Sequence, residues 1–510
     1  MNQLKWKDRT IIIHDPVSPS ESWEEVLDNS KVLEHPAFKI PEETILGIPN
    51  HGKIRKDSTQ IIYYGIELFD SWTYRLNSAQ LVVLSLFNGR RTLREVEESV
   101  AELSDCNLAV AKVKVRLFLS WLDYPNASNI LVNTDVDPDA VIQEISAHLY
   151  LLKESRPSAR LDQPITMMIM PTDKCLTNCV YCYACRRPID KSKLLTIKRF
   201  HELIEETAKL GVISINLDGG DLFARKEHLE IIEHIESHGI SAGISTKGYL
   251  SKEHASRLQK AGLRWIQVGL DSTEEMADRL VRQKGYFNRT IETIHNLVQA
   301  GVIVRTNSII TRKSLSLLPE LVDLLMSLPL MNIKVAPAFG SLYRGTADLL
   351  LSRKEKQWFR EQMMLAEEKY SERKNQINWE CRDDVLDLTP DQAAARFKER
   401  PLCSSGRTQL VITPDGKAIT CEMSPQDGEF VVGDCSYQSI MEVWESKTLE
   451  QWWNLPQEKF TGTPCYNCEE FHICVVVKGH CWFDALVAYG TPFTANPDCP
   501  KATCPLRRWK

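Results

Sequence analysis

Residues 164–337 predict an α/β fold built on a parallel sheet. Short apolar runs recur there as strand candidates: "ITMMIM" (165–170), "VISINL" (212–217), "ISAGIST" (240–246), "LRWIQVGL" (263–270), "VIVRTNSII" (302–310) and "NIKVAPA" (332–338). Helical patterns stand between them at 197–211, 229–239, 251–261, 288–300 and 314–327. This alternation gives parallel strands joined by crossover helices, in a doubly wound sheet or a barrel. A third observation is the stretch "MPTDKCLTNCVYCYAC" (170–185), which starts at the end of the first strand. In both architectures the loops at the C-terminal strand ends carry the chemistry.

Along the chain, a separate unit comes first. "QIIYYGIEL" (60–68) and "SWTYRL" (71–76) read as paired strands. "SAQLVVLSLFNG" (78–89) reads as a helix with Ser78 as N-cap and Gly89 as its stop. "TLREVEESVAEL" (92–103) has Thr92 as cap and Glu95 at the capping-box position. "LAVAKVKVRLFLSWL" (108–122) is a third helix, and strands followed by helices suggest a small winged-helix-like domain. A linker with one helix, "DAVIQEISAHLYLLKES", leads to the sheet region. There the first crossover helix places Ile197, Phe200, Leu203, Ile204 and Ala208 on one face and ends at Gly211.

The 510 residues are too many for one hydrophobic core and suggest about three domains. A net charge of -6 argues against a general nucleic-acid binder. The start, "MNQLKWKDRT", lacks the apolar region of a secretory signal, and no apolar run reaches membrane-spanning length. The expectation is a cytoplasmic protein, with no membrane partner, whose thiols stay reduced. Its 15 cysteines then need a use other than disulfides. One lies at 106, four at 175–185, one at 381 and nine between 403 and 504, a clustering that reads as metal ligation.

Cys175, Cys179 and Cys182 form C-x3-C-x2-C, with Tyr181 before the third. Three thiolates from one loop can hold three irons of a cubane and leave the fourth iron open. A zinc site completed by Cys185 fits the spacing as well. Past the second strand, "DGGDLF" holds Gly219, Gly220 and Asp221; past the third, "STKG" holds Ser245, Thr246 and Lys247. "VGLDS" carries Asp271, and "VRTNSIITR" carries Arg305 and Asn307.

Over about 164–345 these pieces, in this order, resemble the radical S-adenosylmethionine (SAM) superfamily. The resemblance implies a partial (β/α)6 TIM-like barrel and a [4Fe-4S] cluster on Cys175, Cys179 and Cys182. SAM would bind the open iron and be cleaved to a 5′-deoxyadenosyl radical. Tyr181, Gly219, Gly220, Asp221, Ser245, Lys247, Asp271 and Asn307 would line the cofactor. Three departures stand out: Leu222 replaces the family's proline, Lys247 an asparagine, and Gly269 a common serine.

Downstream, Cys403 and Cys421 flank "TPDGKA", a turn between two strand-like pieces. Cys465, Cys468 and Cys474 form C-x2-C-x5-C, followed by Cys481, Cys499 and Cys504. These thiols suit two four-cysteine clusters, or two or more zinc sites. The pattern resembles the SPASM extension of radical SAM enzymes, which implies two auxiliary [4Fe-4S] clusters. Cys403, Cys421 and Cys481 would serve the first. Cys465, Cys468 and Cys474 would serve the second, completed by Cys499 or Cys504. Six residues separate Cys474 from Cys481, where the family commonly has three. Cys381, in "ECRDDVLD", is a candidate hydrogen donor between the two metal regions.

The run "YRLNSAQLVVLSLFNGRRTLREVEESVAEL" resembles the PqqD-like RiPP recognition element (RRE), which captures the leader of a ribosomal precursor peptide as an added strand. Together the resemblances imply five segments: an RRE (1–125), a linker (126–163), a radical SAM core (164–345), a helical bridge (346–402) and a SPASM domain (403–510). They imply a RiPP maturase that forms a thioether or C–C cross-link, supplied with electrons by a flavodoxin or ferredoxin. A peptide epimerase, a sulfatase-type or amine-dehydrogenase-type protein maturase, and a non-catalytic redox sensor are the alternatives.

Overall fold

The computed structural model describes residues 36–48, 52–57, 61–67, 70–76, 78–122, 160–184, 188–381 and 389–502. Cys185, Cys504 and the helix expected in "DAVIQEISAHLYLLKES" lie outside the described residues. The chain divides into two compact units, Met1–Asp162 with Glu399–Pro401, and Gln163–Lys398 with Leu402–Lys510.

In the first unit, β1 (Ile45–Gly47) precedes the antiparallel sheet β2 (Gly52–Lys56), β3 (Ile61–Glu67) and β4 (Asp70–Leu76), ordered β2-β3-β4. Tyr63 stands opposite Tyr74 across the β3–β4 pair, with their rings stacked at 6.4 Å. Three helices follow: α1 (Ser78–Leu86), α2 (Leu93–Leu103) and α3 (Leu108–Trp121). Thr92 and Glu95 form the expected capping box, and Asn107 caps α3 by accepting from the Val110 amide at 2.9 Å. Leu81, Leu84, Val96, Val115, Phe118 and Leu119 are fully buried between these elements. Each such side chain contributes about 1.5–3 kcal/mol of burial free energy.

One expectation fails here. The first helix stops at Leu86, and Asn88–Thr92 forms strand β5, paired antiparallel to β1. Gly89, at φ +71°, lies in that strand rather than closing the helix. The reason is tertiary. Phe87 is buried against Phe118, and the next residues find backbone partners some forty positions upstream.

In the second unit all six expected strands form: β6 (Thr166–Ile169), β7 (Ser214–Leu217), β8 (Ser241–Thr246), β9 (Trp265–Val268), β10 (Ile303–Ile310) and β11 (Asn332–Pro337). They are parallel and lie side by side in chain order. A doubly wound sheet reverses its strand order part-way; this one does not. The helices between them are α4 (Ile197–Lys209), α5 (His228–Ser237), α6 (Lys252–Lys260), α7 (Glu274–Val281), α8 (Tyr286–Gln299) and α9 (Leu318–Ser327). The expected face of α4 buries Phe200, Leu203 and Ile204, with Thr207 beside them. Helix α7 was not expected. It ends at Arg282, in a left-handed conformation, and Asp278 ties it to α8 by accepting from the Phe287 amide at 2.9 Å.

Segments from further along the chain extend both edges of this sheet. β12 (Ile377–Trp379) adds to β11, so the bridge region contains a strand as well as helices. β13 (Gln409–Ile412) adds to β6 in parallel, Gln409 opposite Thr166. It then forms the expected hairpin with β14 (Lys417–Ile419), and β15 (Val431–Asp434) pairs β14 in turn. The hairpin between Cys403 and Cys421 is thereby locked in register to the strand that opens the cysteine loop.

Candidate functional site

The loop after β6 is held at both ends. The Lys174 carbonyl accepts from the Asp221 amide at 2.8 Å, and the Asn178 and Val180 amides donate to Val281 and Leu280 at 3.0 and 2.9 Å. Cys175, Cys179 and Cys182 are part-buried and unbridged. Burial raises the Cys179 thiol, opposed by the charge of Lys247.

Gly219 and Gly220 sit against this loop. Gly219 has φ +100°, a conformation that favours glycine. A Cβ on Gly220 would lie 2.2 Å from the Thr172 carbonyl oxygen and 2.5 Å from that of Lys174. Asp221 braces the neighbouring loop. It accepts from Thr246 Oγ1 at 2.9 Å, the Phe223 amide at 3.0 Å and the Lys247 amide at 3.4 Å. Its role here is to tie "DGGD" to "STKG".

Tyr181, Lys247 and Asp271 come together. The Tyr181 hydroxyl donates to Asp271, and Lys247 Nζ lies 3.3 Å from Asp271 Oδ2 and 5.9 Å from the Tyr181 ring centre. Burial works against the Lys247 charge, yet Asp271, then Tyr286 and Cys179, raise its pKa above the ordinary lysine value. Ser245 donates to Asp218, a half-buried acid that sequence reading passed over. Asn307 Oδ1 is buried without a partner among the described residues, so a donor from a ligand would satisfy it. The donor set, the glycine contact and this orphaned oxygen fit a cluster and SAM.

Downstream thiols form two groups. Cys465 is pushed up to about 12 by burial and then by Cys499, Cys474 and Cys468 beside it. These four line one cavity of about 210 Å³, with Phe471 and Pro500 on its walls. Gln457 Nε2 donates to the carbonyls of Cys465 and Cys468 at 2.9 and 3.2 Å, fixing the C-x2-C turn. In the second group, burial raises Cys421 and Cys481, and both feel the charge of Cys403 and Asp484. The Gly479 backbone runs against Cys403, where a Cβ would meet that of Cys403 at 2.5 Å. Among the described residues, no three of His, Cys, Asp or Glu converge closely enough to hold a single metal ion.

Sequence reasoning missed two further residues. Arg407 is buried, and its Nη2 donates to the carbonyls of Val475, Trp453 and Val476 at 2.9, 3.1 and 3.2 Å. It clamps the Cys403 loop to the turn that follows Cys474; nothing local marks an arginine for that place. Tyr183, one residue past Cys182, is raised by burial and then by Glu422, Asp218, Cys182 and Cys421. It therefore lies within electrostatic reach of both the first cysteine loop and the hairpin thiol. Burial and Asp218 push Glu422 up to about 7. Cys381 faces the Lys356 carbonyl and Arg360, each at 3.8 Å, against the helix Arg353–Lys369.

Comparison with known families agrees with this layout. Residues 169–314 match the radical SAM superfamily, and residues 403–469 match the SPASM iron–sulfur cluster-binding domain. The chain carries a radical SAM domain and a SPASM domain. The PqqA peptide cyclase of Bradyrhizobium diazoefficiens is 24% identical over 366 residues, covering 68% of this chain and 90% of that protein. The mycofactocin maturase MftC of Mycobacterium tuberculosis is 24% identical over 349 residues, 66% of this chain and 83% of the relative. Streptococcus suis SuiB shares the fold, with TM-score 0.59 at 16% identity over 89% of this chain and 99% of SuiB; SuiB has also been solved bound to the precursor peptide SuiA. No helix among the described residues is long and apolar enough to cross a membrane.

Proposed function

We propose that this protein is a radical SAM RiPP maturase that binds the leader of a precursor peptide and cross-links its core, through a thioether or a C–C bond. The observation that carries the reading is the pairing of β13 with β6, which sets the hairpin between Cys403 and Cys421 beside the strand that opens the Cys175–Cys182 loop. A peptide segment lying there would meet both metal regions. The parallel strands in chain order support a partial (β/α)6 barrel whose C-terminal strand ends form that space.

In this reading Cys175, Cys179 and Cys182 hold the SAM-binding [4Fe-4S] cluster. Cys465, Cys468, Cys474 and Cys499 hold one auxiliary cluster, and Cys403, Cys421 and Cys481 serve the other. When bound, SAM and its cluster would supply radical chemistry at an unactivated C–H bond, and a cluster on the downstream thiols would supply a site for one-electron transfer. The chain's own residues do the rest. Gly219 and Gly220 let Met170 and the start of the cysteine loop pack against their backbone, Asp221 holds the Thr246 hydroxyl and the Lys247 amide, and buried walls exclude water from the reactive centre.

The first unit, read as an RRE, takes the leader as an added strand. Among the described residues β2 and β4 are the outer strands of its three-stranded sheet, and an outer strand is where an extended peptide adds. Tethering the leader raises the core's effective concentration at the radical SAM domain. The names of the PqqA cyclase, of MftC and of the SuiB–SuiA complex support a peptide substrate.

The test is anaerobic reconstitution followed by iron and sulfide analysis and deoxyadenosine release. Replacing Cys175, Cys179 and Cys182 with alanine is expected to abolish deoxyadenosine. Deleting residues 1–125 is expected to weaken leader binding and leave SAM cleavage in place. Zinc in place of iron, or leader affinity unchanged by the deletion, overturns the corresponding half of the proposal.

A further inference from the structure

Lys247 and Gly269 follow the C-terminal ends of the adjacent parallel strands β8 and β9. A Cβ at residue 269 would lie 2.0 Å from Lys247 Nζ, 2.9 Å from its Cε and 3.1 Å from its Cγ. The lysine side chain is thus laid along the bare Gly269 backbone, and any side chain there would evict it. The two departures from the family pattern are therefore one exchange: a missing side chain just past β9 makes room for a cation just past β8.

The cation is held firmly. Lys247 Nζ is 3.3 Å from Asp271 Oδ2, and the Lys247 and Asp271 side chains are 19% and 1% exposed. Asp271 is fixed in turn by the Tyr181 hydroxyl and by the Ile309 amide at 2.8 Å. The Tyr286 hydroxyl donates to the Gly269 carbonyl, which pins the backbone that Lys247 lies along. The charge is also directed. Lys247 Nζ lies 5.9 Å from the centre of the Tyr181 ring, and Tyr181 stands between Cys179 and Cys182 in the cysteine loop.

Resting on Cys179 as a ligand of the SAM-binding cluster, we infer that Lys247, admitted by Gly269, is a positioning residue that fixes a positive charge beside that cluster and so raises its reduction potential. Reduction adds one negative charge to the cluster, and a fixed cation at this place favours the state that carries it. A neutral asparagine with a serine opposite supplies no such charge.

The experiment uses the reconstituted full chain as wild type, Lys247→Met, Gly269→Ser and the double variant Lys247→Met/Gly269→Ser. Iron content is measured first. The midpoint potential is then read by EPR-monitored titration of the cluster signal that SAM perturbs. Lys247→Met is expected to retain iron and shift the midpoint to more negative potential. Gly269→Ser is expected to shift it in the same direction, because it displaces the ammonium. In the double variant the second change is expected to add nothing to the first. Lys247→Gln replaces Lys247→Met if that variant fails to take up iron. An unmoved midpoint with full iron overturns the inference, as does a double variant whose shifts simply add. Absence of any SAM-perturbed cluster in the wild type overturns the reading beneath it instead, so the two failures are distinguishable.

Discussion

Gly220→Ala tests whether the glycine contact positions the first cysteine loop. The added Cβ would sit 2.2 Å from the Thr172 carbonyl oxygen, 2.5 Å from that of Lys174 and 2.9 Å from the Thr172 carbonyl carbon. All three are backbone atoms, so no rotamer change relieves them. Restoring ordinary van der Waals separation moves residues 172–174 by about 1 Å, at an overpacking cost of about 1–3 kcal/mol. The shift cannot spread along the loop, because Asn178 and Val180 are tied to Val281 and Leu280. It falls on Cys175 relative to Cys179 and Cys182. A misplacement of about 1 Å at a reacting centre costs about 100-fold in rate, or about 2.7 kcal/mol. Deoxyadenosine release under single-turnover conditions is the assay, with iron content as companion. Gly345→Ala, where an added Cβ meets nothing within 4 Å, is the control. A Gly220→Ala enzyme with full iron and undiminished deoxyadenosine release would refute the argument.

Two further outcomes follow from the geometry. Arg407→Met removes the donors from three backbone carbonyls around the downstream thiols and is expected to destabilise that region by on the order of 3 kcal/mol. Auxiliary iron should be lost while the SAM-perturbed cluster signal stays, and Arg407→Lys should not rescue it, since one ammonium cannot match the planar fork. His254 and His228 face each other with their Nε2 atoms 2.8 Å apart, and burial, then His228 and Arg257, lower the His254 pKa below 6.5. The unfolded chain therefore takes up a proton that His254 resists in the folded chain, so stability is lost as pH falls below 6.5. His254→Gln is expected to flatten the fall in denaturation midpoint between about pH 7.5 and pH 5.5; a fall of unchanged steepness refutes the assignment.

Much of this molecule is encoded locally. The six parallel strands, the helices between most of them and the Thr92–Glu95 capping box are patterns of period, propensity and short-range hydrogen bonding, and each lies within a dozen residues. The cysteine spacings are equally local, because a chelating loop must place its donors within a few bonds of one another. Tyr181, Lys247 and Asp271 meet because parallel strands in chain order bring successive loops to one end.

What local pattern does not carry is the choice of distant partner. β13 pairs with β6 across some 240 residues, and β1 with β5 across about forty, ending the first helix at Leu86. Backbone hydrogen-bonding groups are the same at every residue, so a strand's own letters do not name its neighbour; shape and burial of the whole core decide. The same holds for the place of Arg407 among three carbonyls and of Lys247 on the bare backbone of Gly269. Chemistry that needs one kind of residue at one spacing is written in the sequence, whereas chemistry that needs an empty space beside a charge exists only once the chain has folded.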